Sequence, residues 1–243
     1  MSDPASMTTT LRIMPREMRL MSERILSLTA LPKGFFLAMQ DFVMISQKLG
    51  LGGFASLEER FDLLADAKPE AITITAENGV ALELDAGNQH GWVIVPSLLD
   101  LLGELVAAHG EARITVRNAA EPAELKIAEA LGGRTGLTVT VEEGGLVTAK
   151  PQPLTGRVAE DDPVLWDLLC NGTPINADLW WRVYHHAKKA LAADTVVSRR
   201  HAGPMIVNED GSVTGRKDND DDTDVSFLAA PVSGQIQQKG ANP

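Results

Sequence analysis

RITVRNAAEPAELKIAEALGGRTGLTVTV, residues 113–141, carries the change of period on which the fold turns. Arg113 to Arg117 alternates apolar and polar side chains, as a strand with one face on a core does. Pro122 to Leu131 moves to three- and four-residue apolar steps. Proline stands there in a first turn that has no use for its missing N–H, and Gly132 lies just past the end. Leu137 to Val141 alternates again, so the stretch is a β-α-β unit. Its two strands are either parallel neighbours with a right-handed crossover or strands that are not adjacent.

Upstream, Ile72 and Ile74, then Val80, Leu82 and Leu84, alternate with polar residues around the turn-forming Glu77-Asn78-Gly79, which predicts a hairpin. Trp92-Val93-Ile94-Val95 reads as a more buried strand, and Ser97 to His109 as a helix closed by Gly110. Hairpin and β-α-β unit together imply a mixed sheet.

Both flanks have helical spacing. Ile13, Met14, Met18, Met21, Ile25 and Leu28 predict a helix over 11–28, and a second starts near Pro32 and ends at Gly50. Ser56-Leu57-Glu58-Glu59 has the spacing of a capping box and predicts a third helix over 57–67, stopped by Pro69. Pro151 to Asp162 is a connection to a short helix at 163–170 and a longer one at 177–193 capped by Asn176. Glu209-Asp210-Gly211 joins Val207 to Val213 as a hairpin.

The expected fold class is α+β, with N-terminal helices, a mixed central β-sheet, and a C-terminal helix with a charged loop. Residues 1–10 and 229–243 lack periodicity and read as disordered tails. That leaves 11–228 as a single compact domain with a sub-boundary near 151–162.

Composition narrows the function classes. Among 243 residues, 44% are hydrophobic, enough for a sizeable core, and a single cysteine, Cys170, provides neither a disulfide framework nor a cysteine-built metal site. The expected compartment is a reducing cytoplasm. A net charge of −11 repels nucleic-acid phosphates and anionic lipid, so neither nucleic acid nor membrane is an expected partner. No stretch reads as a signal peptide or as a membrane span of roughly 20 uncharged apolar residues.

Glycine-rich nucleotide loops, nucleophile elbows and zinc-protease words are absent from the sequence. Gly50-Leu51-Gly52-Gly53 follows a helix rather than a strand, so it ends that helix and is no phosphate loop. Chemistry gathers instead in Ser198-Arg199-Arg200-His201, Gly215-Arg216-Lys217 and the acidic run Asp218 to Asp224.

Two planar guanidinium forks beside a hydroxyl and an imidazole suit a carboxylate or phosphate. Ser198, Arg199, Arg200, His185 and Arg216 are therefore the expected ligand contacts. His201 is the expected acid or base, its ordinary pKa lying near neutrality. The competing reading is that the arginines pair with the acidic run, each exposed pair contributing about 0–1 kcal/mol. Arg182, His185, His186, Lys188 and Lys189 add positive charge on the preceding helix.

No metal site is expected. The acidic run matches the first positions of a calcium loop but has Thr223 where the turn needs glycine and Ala229 where a closing glutamate belongs. His185 and His186 point about 100° apart on a helix and do not share a metal. On that helix Trp180, Tyr184, Ala187 and Leu191 form a core-like stripe, with Trp181 beside it. His90 lies in a tight loop, either as a binding residue or as a turn histidine bonded to backbone. Cys170 reads as a buried small hydrophobe.

The stretch Trp180–Asp224 and the Ala30–Leu57 helix with its GLGGFASL ending resemble a proteobacterial domain-of-unknown-function family. The SRRHAGP-like loop with its Asp-rich end looks like the shared part, and the resemblance carries over no catalytic residue or cofactor. Two readings follow: a metabolic protein, such as a catabolic enzyme, binding a small anionic metabolite, or a non-catalytic accessory subunit docking a protein partner. A homo-oligomer is compatible with either.

Overall fold

The computed structural model describes residues 9–191, 205–207, 210 and 213–215. The chain divides into two compact units, Met1–Leu191 and Ala192–Pro243. In the first, the alternating stretches form a five-stranded sheet from β2 (Thr73–Asn78), β3 (Ala81–Asp85), β4 (Ala112–Arg117), β5 (Leu137–Val141) and β6 (Leu146–Pro151), in the order β2-β3-β4-β6-β5.

The predicted hairpin is β2–β3, turning at Gly79 with φ +56. β3 pairs parallel with β4, whereas β4–β6 and β6–β5 are antiparallel. The two strands of the β-α-β unit are thus parallel in direction but not adjacent. β6, which the sequence reading does not identify, turns back through Gly144-Gly145 and occupies the place between them.

Helix α5 (Gly91–His109) connects β3 to β4 and packs on β4 and β6. Trp92 to Val95 is its first turn and not the expected strand. An apolar run buried on every side has no period to separate helix from strand, and all four residues are fully buried. With 19 residues and mean hydropathy 1.6, α5 has the length and composition of a membrane-crossing helix. Here Leu98 and Leu102 lie in the core while Asp100 and Glu104 face solvent.

A second, two-stranded sheet joins β1 (Thr10–Ile13) to β7 (Thr173–Asn176), with Thr10 opposite Asn176. The first helix, α1 (Pro15–Leu26), consequently starts later than the spacing from Leu11 implies. Pro15 holds Met14 extended, at φ −90 and ψ 159, so Leu11 and Ile13 join a strand. α2 (Lys33–Leu49) ends as expected at Gly50, in the left-handed region at φ +72.

The expected third helix is two pieces, α3 (Phe54–Glu59) and α4 (Phe61–Ala65), broken at Arg60. Since α3 begins before Ser56, that serine is not its cap. A 3-10 turn, Pro122–Lys126, runs into α6 (Ile127–Gly132). After α7 (Val158–Asp161), Asp162 caps α8 (Pro163–Asn171) by accepting the Leu165 N–H. Asn176 caps α9 (Ala177–Ala187) as predicted.

Helices α1 and α2 pack their methionine-rich faces together, with Met18, Ile25, Met39 and Val43 fully buried. In the second unit, β8 (Met205–Val207) pairs antiparallel with β9 (Val213–Gly215), the hairpin expected around Asp210. The fold is α+β.

Candidate functional site

Ser198, Arg199, Arg200, His201 and Arg216, and the acidic run from Asp218 to Asp224, lie outside the described residues. His185 is exposed on α9, its ring 5.7 Å from that of Tyr184. His186 turns inward against Phe61 at 4.8 Å, and burial and then Lys189 lower its pKa against the pull of Glu58. In the core-like stripe of α9, Trp180 and Ala187 are buried and Tyr184 half-buried, whereas Leu191 is exposed because the helix has already ended. Cys170 is exposed, not buried, since the terminal turn of α8 carries it outward.

Groups with acid–base chemistry meet elsewhere, where α2, α3, α5 and the Pro122–Lys126 turn converge. His90 is the N-cap of α5, and its Nδ1 accepts the Trp92 backbone N–H at 3.1 Å. A backbone N–H can only donate, so the neutral ring carries its proton on Nε2, which faces Ser56 Oγ at 3.5 Å. Burial first, and then the Arg60 charge, lower the His90 pKa from 6.5 to about 4. Arg60 itself pairs with Glu121 at 2.6 Å.

Beside this ring lies Glu124, 2% exposed. Its Oε2 accepts the Trp92 indole N–H at 2.8 Å and its Oε1 accepts the Ser46 hydroxyl at 2.9 Å. Ser46 Oγ in turn accepts the Gly53 N–H at 2.8 Å. Burial raises the Glu124 pKa, and the two donated hydrogen bonds pull it back. The GLGG turn is shaped to this cluster. A Cβ on Gly53, at φ +54, would lie 2.5 Å from Gln47 Cα, and one on Gly52 would lie 3.2 Å from Glu124 Oε1.

An imidazole and a carboxyl held this way resemble an acid–base pair in composition. Their burial defines their role differently, because His90 has no exposed surface and each group is spent on satisfying neighbours. His90 therefore belongs to the backbone-bonded alternative. Sequence reading singled out His90 but missed Glu124 and Ser46, and the available signal was the Trp92 indole, which needs an acceptor once buried. A separate cleft of about 350 Å³ between α6, β5 and α8 is lined by Lys126, Glu129, Gln152 and Glu160. Among the described residues no group of three histidine, cysteine or carboxylate side chains is placed to hold a metal ion.

No protein-family model matches the chain, and no curated protein matches it. Among solved structures, a dehydrogenase from Sinorhizobium meliloti is similar at 18% identity and TM-score 0.45, covering 53% of this chain and 42% of that one. A malate dehydrogenase from Entamoeba histolytica gives 14% identity, TM-score 0.43, and coverage of 54% and 38%. A sulfolactate dehydrogenase from Methanocaldococcus jannaschii gives 14%, 0.41, and coverage of 52% and 38%. The matches span less than half the length of those proteins.

Proposed function

We propose that this chain binds a small anionic metabolite through Arg199 and Arg200, with Ser198 and Arg216 as further donors and His201 as the group that gives or takes a proton. The observation supporting this reading is electrostatic. In a chain of net charge −11, α9 and the turn after it present Arg182, His185, Lys188 and Lys189 to solvent, and the Ser198–His201 segment follows in sequence. Guanidinium forks in such a locally positive stretch suit a carboxylate or phosphate.

A thermal-shift screen of carboxylates and phosphates tests the reading, because a ligand that favours the folded state raises its melting temperature. For the best anion, Arg200→Ala is expected to weaken binding roughly ten- to a hundredfold, since a charge-assisted hydrogen bond contributes about 1.5–3 kcal/mol. Arg200→Lys restores part of the loss, keeping the charge without the fork. Equal affinity in all three proteins refutes the site.

A second reading, a non-catalytic accessory subunit, is favoured by the half-exposed indoles of Trp181, at 52%, and Trp166, at 48%. Exposed tryptophan is costly to leave in water and is enriched in interface anchors.

A further inference from the structure

We propose that the outer face of α9 is a docking strip for an acidic segment of a partner protein that carries an apolar or aromatic side chain. This deepens the accessory-subunit reading and rests on it. Residues 184, 185 and 188 lie three, four and seven positions after Trp181, the spacings that place side chains on one helix face. The opposite face, Trp180, Val183 and Ala187, is buried, with Trp180 edge-on to Phe54 at 5.5 Å. α9 is thus anchored by one face while the other meets solvent.

The outward face is already ordered. The Trp181 and Tyr184 rings meet edge to face at 5.7 Å, His185 meets Tyr184 at 5.7 Å, and Lys188 Nζ stands 5.7 Å from the centre of the Tyr184 ring. Rings held by one another lose little conformational freedom when a ligand covers them, so the exposed area of Trp181 and the outer edge of the half-buried Tyr184 remain available as binding free energy.

Charge selects the occupant. Along Ala177–Ala190 one carboxylate, Asp178, stands against Arg182, Lys188 and Lys189, and among the described residues Arg182 alone of these cations is ion-paired, with Glu58 at 3.2 Å. The ammonium groups of Lys188 and Lys189 make no ion pair within 4.0 Å among the described residues. A strip with two rings and two exposed ammonium groups complements interspersed carboxylates and apolar side chains. A lipid surface fits less well, because a flat anionic face meets the acidic remainder of this chain along with the strip, whereas a flexible segment can contact the strip alone.

The test measures fluorescence anisotropy of a labelled glutamate–tyrosine copolymer on the full chain at about 0.15 M salt, where repulsion from the distant acidic surface is screened within about 8 Å. Expected is saturable binding that Trp181→Ala and the pair Lys188→Glu/Lys189→Glu each weaken by at least about tenfold. Trp166→Ala on α8 leaves it unchanged, which separates this strip from the other half-exposed indole. Stronger Trp181-dependent binding of a lysine–tyrosine copolymer would overturn the acidic partner and leave a docking face in place. Indifference of both polymers to Trp181→Ala would overturn the strip and leave the accessory reading resting on Trp166 alone. Trp181-dependent binding to phosphatidylserine vesicles, with no binding of the copolymer, would assign the face to a lipid surface and refute the proposal.

Discussion

Replacing His90 by asparagine isolates the cost of sealing an imidazole in the core. An asparagine oxygen at that position still accepts the Trp92 N–H, so the helix cap survives while the titrating group is gone. In the wild type the unfolded chain takes up a proton near pH 6.5, whereas the folded chain resists it down to about 4. The unfolded state binds more protons between those values, so stability falls as pH drops through that window and levels off below it. At about 1.4 kcal/mol per pKa unit, the loss is about 3 kcal/mol.

Glu124 acts in the opposite sense, its raised pKa contributing stability at low pH that fades as pH rises. It is present in both proteins, as are the surface carboxylates, so the difference between the two pH profiles belongs to His90. Urea unfolding followed by tryptophan fluorescence from about pH 4 to 7.5 gives each free energy. His90→Asn is expected to be less stable at neutral pH, having lost buried ring contacts, and to lose about 3 kcal/mol less than wild type on acidification. Parallel profiles would refute the claim that His90 is held neutral.

Two further substitutions probe the same body. Trp92→Phe keeps an apolar ring but removes the donor to Glu124, at 2.8 Å in the wild type; a loss of about 1–3 kcal/mol in urea unfolding is expected. Asp162→Ala removes the α8 cap and one of the two carboxylates, Asp162 and Asp41, that hold Arg134. A thermal melt should report a loss of about 2–4 kcal/mol, and a loss under about 0.5 would show that neither contact matters.

Period and punctuation made most of the elements legible. The alternation in RITVR and LTVTV, the glycine after α2 and the asparagine before α9 each act through local chemistry that tertiary packing reinforces. Reading failed where packing decided. WVIV is helical because His90 caps it, and Leu11 lies in a strand because β7 arrives to pair with it. β7 itself, Thr-Pro-Ile-Asn, has too few residues and a proline against it. The Ser46–Glu124 bond spans 78 positions, a separation at which no local pattern speaks.

The pairing of β1 with β7 also sets an order on synthesis. A ribosome releases Thr10–Ile13 first, yet Thr173–Asn176 emerges only after the whole five-stranded sheet has been made. The nascent chain therefore carries an unclosed strand from Ile13 until Thr173 has been made, and β5 likewise waits for β6 before it can join β4. Contacts so distant along the chain are the last to repay the entropy of closing them. A product cut short between Pro151 and Thr173 contains all five strands of the larger sheet but can never close its first strand, and it lacks α9 as well, so the emergence of β7 is the moment at which the N-terminal strand first finds its partner.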